Sequence, residues 1–181
     1  MDKIIEGFLP DDFRCRGKLS NVHLWNNAGD RQAYLRGELV LPKWWGSNPN
    51  GITDEGIHYL LEAGFRGGTP ITAWYAGLID NAGYTGVDPS DVMNSHTGWA
   101  EATQYDEAVR QTLSFGAAAS RAITAAISFT MNATKTIEGI FVTSDSTKSG
   151  TTGTLWSSAL FSSAPGLIAG NVLTANYTLS D

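Results

Sequence analysis

The stretch Ile71-Thr-Ala-Trp-Tyr-Ala-Gly-Leu-Ile-Asp80 is apolar on both faces when it is read at the strand period of two. One face carries Tyr75 and Ile79, and the other carries Trp74 and Leu78. A strand that is apolar on both faces must be covered on both sides. We therefore expect it to be the central strand of a small β-rich domain.

The segment that precedes this stretch predicts one helix, over residues 53–63. Thr53 is suited to the N-cap position, and Gly64 is suited to ending the helix. An apolar stripe at helical spacing would cover one face of the central strand, and its members are Ile57, Leu60 and Leu61.

The remainder of the chain has the alternating pattern of half-buried strands, interrupted by turn-forming residues. Further strands are predicted over residues 99–105, 112–115, 123–131, 136–144, 154–162 and 171–179. The expected fold class is therefore mainly β: an antiparallel β-sandwich or jelly-roll-like domain of about seven strands with one short α-helix.

The first 50 residues show no sustained period, although residues 32–41 are compatible with a strand that Pro42 would end. We expect an extended N-terminal arm over residues 1–50, followed by the β-sandwich domain over residues 51–181. Large aromatic side chains in such an arm must be buried against the domain or against another subunit. The residues predicted to form an interface, in the arm and on a loop, are Phe8, Phe13, Trp25, Tyr34, Trp44, Trp45 and Trp99.

Composition excludes several classes of protein. The net charge of −6 argues against a nucleic-acid partner, because the chain has no basic stripe to neutralise phosphates. No apolar run is long enough for a membrane span, and the first residues do not resemble a signal peptide. The lone Cys15 excludes an internal disulfide. A soluble protein made in a cytoplasm is expected.

Candidate catalytic and metal-binding groups are sparse. His23, His58 and His96 lack partners at ligand spacing, so no metal or cofactor is expected. Lys148 lies in a polar loop that departs from the phosphate-binding pattern, and it is interpreted as a solvated lysine. No Gly-x-Ser-x-Gly motif occurs, and we do not expect an enzyme. Trp74 and Trp156 are predicted to be core residues.

Several motifs, taken in order, resemble a family of small proteins encoded among the structural genes of tailed bacteriophages. They are Tyr59-Leu-Leu, Thr72-Ala-Trp-Tyr-Ala-Gly-Leu-Ile-Asp80, Ser95-His-Thr-Gly-Trp-Ala-Glu101, Ile140-Phe-Val-Thr-Ser-Asp-Ser-Thr-Lys148 and Gly153-Thr-Leu-Trp-Ser157. The resemblance covers the chain from residue 56 to its end. It supplies no catalytic residue.

This resemblance implies a virion component on the head, made in the host cytoplasm. The expected function is that of a capsid decoration or cement protein, which stabilises the shell through contacts that bridge subunits. Its expected partners are the major capsid protein and further copies of itself, with a trimer as one option. The alternatives are a tail, fibre or head-tail component and a carbohydrate-binding module that contacts the host surface.

Overall fold

The computed structural model describes residues 16–38 and 44–180. Within these ranges the chain forms ten strands and two helices. The strands are β1 (Arg16–Trp25), β2 (Trp44–Ile52), β3 (Tyr75–Asp80), β4 (Ala100–Ala102), β5 (Gln111–Thr112), β6 (Ala122–Thr130), β7 (Lys135–Thr143), β8 (Leu155–Leu160), β9 (Gly166–Leu167) and β10 (Val172–Ser180). The helices are α1 (Ala28–Leu35) and α2 (Asp54–Phe65).

All the strand pairs of the main sheet are antiparallel, in the order β4-β3-β7-β8-β2-β1-β10-β6, with β5 beside β3 and β9 beside β7. The long strand β2 links the two layers: most of it pairs with β1, and its last two residues pair with β8. The outer edges approach each other, since Asp106 N donates to Thr130 O at 2.8 Å. The predicted mainly β, sandwich-like fold is confirmed.

The alternation predicted for the C-terminal strands is also confirmed. In β6 the buried side chains are Ala125, Ile127 and Phe129, and in β10 they include Leu173, Ala175 and Tyr177. Their intervening neighbours are partly or fully exposed. Strand period therefore places these residues in the main core, where the two layers meet.

The strand β3 is buried on both faces but is shorter than predicted. It pairs with β7 on one side and with β4 and β5 on the other. Leu78 belongs to the main core, whereas Ile79 packs in a second apolar cluster on the opposite face. Residues 71–74 are not part of this strand. Here Ile71 N donates a hydrogen bond to the Tyr59 hydroxyl, at 2.8 Å, and not to a neighbouring strand.

Helix α2 forms where the sequence predicts it. The Thr53 hydroxyl accepts a hydrogen bond from Gly56 N at 3.0 Å, as an N-cap should. The helix packs mainly on β8, which corrects the expectation that it covers the central strand. Gly56 permits this contact, since a Cβ there would lie 2.5 Å from Trp156 O.

The predicted N-terminal arm needs correction in the part that the structure describes. Residues 16–25 form β1, which lies inside the sheet between β2 and β10 and buries Leu19 and Leu24 in the core. Residues 28–35 form α1 where a strand was considered, with Asn27 as its N-cap. The sheet continues through residue 50, so the proposed domain boundary there does not separate two units. Residues 1–15 lie outside the described range.

Candidate functional site

An apolar crevice lies between helix α2, the start of β6 and the end of β10. Its volume is about 220 Å³, and none of the described residues that line it is charged. Aromatic rings form much of its wall, with ring centroids 5.3 Å apart for Tyr59 and Trp74 and 5.6 Å apart for Trp74 and Trp156. Such a crevice can accept an apolar side chain.

Helix α2 also carries an exposed apolar surface, which we call the α2 patch. It consists of Leu61 and Phe65, which are 51% and 83% exposed and lie four residues apart on the helix. Beside them, Arg66 Nη1 and Glu62 Oε1 form a surface ion pair at 2.8 Å. An apolar centre with a charged neighbour is the composition of a small protein interface.

Helix α1 covers an aromatic cluster on the outer side of the sheet. Trp25 is buried there, with its ring centroid 5.0 Å from that of Tyr34, and its Nε1 donates to Thr174 Oγ1 at 3.1 Å. Tyr34 stays half-exposed at the rim of a depression of about 170 Å³ that Arg31 and Asn176 also line. Burial lowers the pKa of His23, which lies in the same cluster.

Trp99, a predicted interface residue, is an internal anchor. Its ring stacks on His96 at 3.9 Å between centroids and packs on Phe141 at 5.0 Å. Its Nε1 donates to the Asp91 carboxylate at 2.9 Å, and the side chain is buried. It therefore holds the loop that contains His96 onto the sandwich.

The seven residues that were predicted to form an interface lie in different environments. Phe8 and Phe13 lie outside the described residues, and only the backbone of Trp44 and Trp45 is described, in β2. Trp25 and Trp99 are buried, so they present no free surface, and Tyr34 is half-exposed. Trp156 is buried in the core as predicted, while Trp74 is partly buried against it. The sequence reasoning missed Leu61 as a surface residue, because it placed Leu61 on the covered face of the helix.

Among the described residues, a buried charged network is centred on Arg110. Its guanidinium makes a bidentate pair with Glu101, with distances of 3.1 Å from Nε to Oε1 and 2.8 Å from Nη2 to Oε2. The same group donates to Asp145 O and Gly150 O, each at 2.9 Å. The side chains of Arg110 and Glu101 are only 1% and 6% exposed. This network fastens the loop of residues 144–153 to the rest of the domain.

The carboxylate of Asp145 belongs to the same loop. Burial acts to raise its pKa, but hydrogen bonds from Thr147 and Thr152 and the charge of Arg110 outweigh that effect, so its pKa lies below the usual value. Because the network groups already have partners, the arrangement fits a structural role better than acid–base catalysis.

Lys148 is not the solvated lysine that the sequence predicted. Its Nζ donates to Tyr105 O at 2.7 Å and to Thr103 O at 3.3 Å. It also lies 3.7 Å from the centroid of the Tyr105 ring, which is a cation–π contact. The loop is therefore fastened at two points, by Arg110 and by Lys148. Burial, followed by the charge of Glu101, raises the pKa of Tyr105.

Metal binding finds no support among the described residues. No group of three or more His, Cys, Asp and Glu side chains within them could hold a metal ion. His58 is exposed on α2, and His96 is used in the stack on Trp99.

Comparisons with protein-family models, with curated proteins and with solved structures found no match to this chain. Across residues 16–38 and 44–180, no helix combines the length and the apolar content that a membrane span requires.

Proposed function

We propose that the protein is a structural component of a tailed-bacteriophage virion, a decoration or cement protein that binds the capsid shell. The observation that carries this proposal is the α2 patch, where Leu61 and Phe65 are exposed on helix α2. Burying an apolar side chain of this size contributes roughly 1.5–3 kcal/mol. The patch therefore gains free energy when a partner covers it.

Other features are consistent with a binding protein that contacts the shell. The helix that carries the patch is held to β8 by hydrogen bonds from Leu155 N to Glu55 Oε2 at 2.7 Å and from Thr53 N to Trp156 O at 3.0 Å. Because the patch lies on a formed helix, the backbone that carries it does not have to be ordered on binding. The major capsid protein is the proposed partner, and the motifs that resemble phage structural proteins support that choice.

The test uses capsid shells from the encoding phage that lack this protein, mixed with purified chain and sedimented. Leu61→Ser and Phe65→Ser should each weaken binding by about 10–100-fold, the equivalent of roughly 1.5–3 kcal/mol. Ile168→Ser is the matched control, because Ile168 is also half-exposed, at 53%, but lies between β9 and β10. Failure of the wild-type chain to bind, or equal effects of all three variants, would contradict the proposal.

A second candidate function is carbohydrate binding at the depression beside α1. The half-exposed ring of Tyr34, with Arg31 and Asn176 nearby, combines an aromatic face with polar groups that could hydrogen-bond a sugar. A glycan array tests this function. Glycan binding that is abolished in Tyr34→Ala but retained in Phe65→Ser would favour a module that contacts the host surface. Electron microscopy of the particle distinguishes a head position from a tail or fibre position.

A further inference from the structure

Helix α2 carries a row of charged and polar side chains beside the α2 patch. The members of the row follow one another at every fourth position, and all of them are exposed: Asp54, His58, Glu62 and Arg66. Side chains at this spacing lie on one side of a helix. The row begins with a carboxylate at the N-terminal end of the helix and ends with a guanidinium at its C-terminal cap. The outer face of the helix is therefore acidic at one end and basic at the other.

This order of charge is complementary to itself when two copies of the helix lie side by side in opposite directions. With a two-fold axis at the level of Leu60, Asp54 of one copy lies opposite Arg66 of the other, because both residues are equally distant from residue 60. His58 lies opposite Glu62 for the same reason, and its ring N–H can donate to that carboxylate. A parallel pair would place each carboxylate opposite the same carboxylate of the other copy, which is unfavourable.

The antiparallel arrangement also covers the α2 patch. Leu61 is one residue from the axis, so the Leu61 side chains of the two copies meet there. Phe65 comes within about 4.5 Å, measured along the helix, of His58 in the second copy. Phe65 is 83% exposed, the highest value for a large hydrophobic side chain in residues 16–38 and 44–180. A second copy therefore removes from water the apolar side chain that one copy leaves most open.

The size of the contact sets the strength of the pairing. The helix has 12 residues, so it is about 18 Å long. Two helices of this length bury less than the roughly 1,200–2,000 Å² that a stable complex buries. The expected dimer is therefore weak, with a dissociation constant of about 10–100 µM.

We propose that a second copy of this chain covers the α2 patch in solution, through two-fold, antiparallel pairing of the α2 helices. The capsid shell and the second copy then compete for the same patch. The inference goes beyond the proposed function and does not depend on it, because dimerisation is measured without shells. A chain that binds shells but stays monomeric would reject the dimer and leave the proposed function intact.

The first test is sedimentation equilibrium of the full chain at concentrations from about 5 µM to about 500 µM, a range that brackets the expected dissociation constant. Arg66→Asp and Asp54→Arg should each weaken dimerisation by about tenfold, because the axis places two pairs of like charges opposite each other. Arg36→Asp is the matched control and should leave dimerisation unchanged. Arg36 also pairs with a glutamate at 2.8 Å, and its side chain is 60% exposed, but it lies at the end of α1.

Mixing the two variants makes this test specific for the antiparallel pairing. A dimer of one Arg66→Asp chain with one Asp54→Arg chain again has opposite charges at both positions, so the mixture should regain the affinity of the wild type to within about threefold. Circular dichroism confirms that each variant keeps its fold. A wild-type chain that is monomeric at all these concentrations, a trimer, or a mixture no tighter than either variant alone would overturn the proposal.

The second test traps the contact at the axis, in a Cys15→Ser background that leaves no native thiol. Leu61→Cys should give a disulfide-linked dimer on a non-reducing gel, because the two copies of this residue meet. Ile168→Cys is the control and should remain reduced, since Ile168 is similarly exposed, at 53%, but lies outside α2. Equal cross-linking of both variants, or of neither, would reject the proposed pairing.

Discussion

The guanidinium carbon of Arg110 lies over the Phe141 ring, 5.1 Å from its centroid. Replacing Arg110 with methionine removes this buried cation and leaves an apolar side chain of similar length beside the ring. Glu101 then loses both bonds of its bidentate pair but keeps the hydrogen bond from Ser149 N at 2.7 Å. Breaking a buried ion pair from one side costs about 3–5 kcal/mol. Since Ser149 still contacts the carboxylate, we expect the lower end of that range, about 3 kcal/mol.

For a domain of this length, a loss of about 3 kcal/mol corresponds to a fall in Tm of about 6–12 °C. Calorimetry or circular dichroism measures the fall, and urea unfolding gives the free energy directly. Glu101→Gln combined with Arg110→Met should cost about 2 kcal/mol less than the sum of the two single changes, because the two side chains are in contact.

The matched control for this experiment is Arg66→Met. Arg66 also pairs with a glutamate, at 2.8 Å, but its side chain is 78% exposed. An exposed helical pair of this kind contributes at most about 0.5 kcal/mol. If Arg110→Met lowers the free energy of unfolding no more than Arg66→Met does, the Arg110 network does not stabilise the loop of residues 144–153.

Three further predictions concern Lys148, Gly139 and Asp145. Lys148→Met should destabilise the protein by about 1–3 kcal/mol in urea unfolding, because it removes the charged hydrogen bond to Tyr105 O and the ring contact; an unchanged midpoint would mean that the lysine is effectively solvated. Gly139→Ala should lower the free energy of unfolding by about 1–3 kcal/mol, because the new Cβ would lie 2.1 Å from the backbone oxygen of Ala159. Gly166→Ala is the control and should cost less than half as much, because the space around its Cβ is open. Folding lowers the pKa of Asp145. The stability that this carboxylate contributes is therefore present above the ordinary aspartate pKa of 3.8 and is lost as the pH falls through the lower folded value. Between about pH 6 and about pH 2, the free energy of unfolding should fall less steeply in Asp145→Asn than in the wild type.

The parts of the fold that local chemistry determines were predictable from the sequence. Strands β6 and β10 each bury one face, so their alternation is visible in the chain itself. Helix α2 was found from Thr53, because an N-cap acts through its own neighbours and needs no tertiary partner. The mainly β class follows from these elements and was predicted correctly.

The N-terminal strands were missed because their structure depends on distant partners. The pairing of β1 changes register between Ser20 and His23, and this irregularity breaks the period that would reveal a strand. Strand β2 includes the turn-like run Gly46-Ser-Asn-Pro-Asn-Gly51, whose strand conformation rests on pairing with β1 and β8. No local pattern indicates either pairing.

The buried network was also out of reach of sequence reasoning. Glu101, Arg110 and Asp145 lie in three separate segments and follow no recognisable spacing. Their association depends on the loop of residues 144–153 folding back toward β4. The burial of Trp25 was missed for a related reason, since α1, which covers it, was not predicted.

The pairing of β1 with β10 has a consequence for how the chain is made. Because β1 is synthesised long before β10, it waits for this partner while the intervening residues are made, which takes roughly 8–30 s at about 5–20 residues per second. During that interval one edge of β1 has no complementary strand, and such edges promote aggregation. We therefore expect nascent chains truncated before β10 to require a chaperone, although a chain that includes β10 does not.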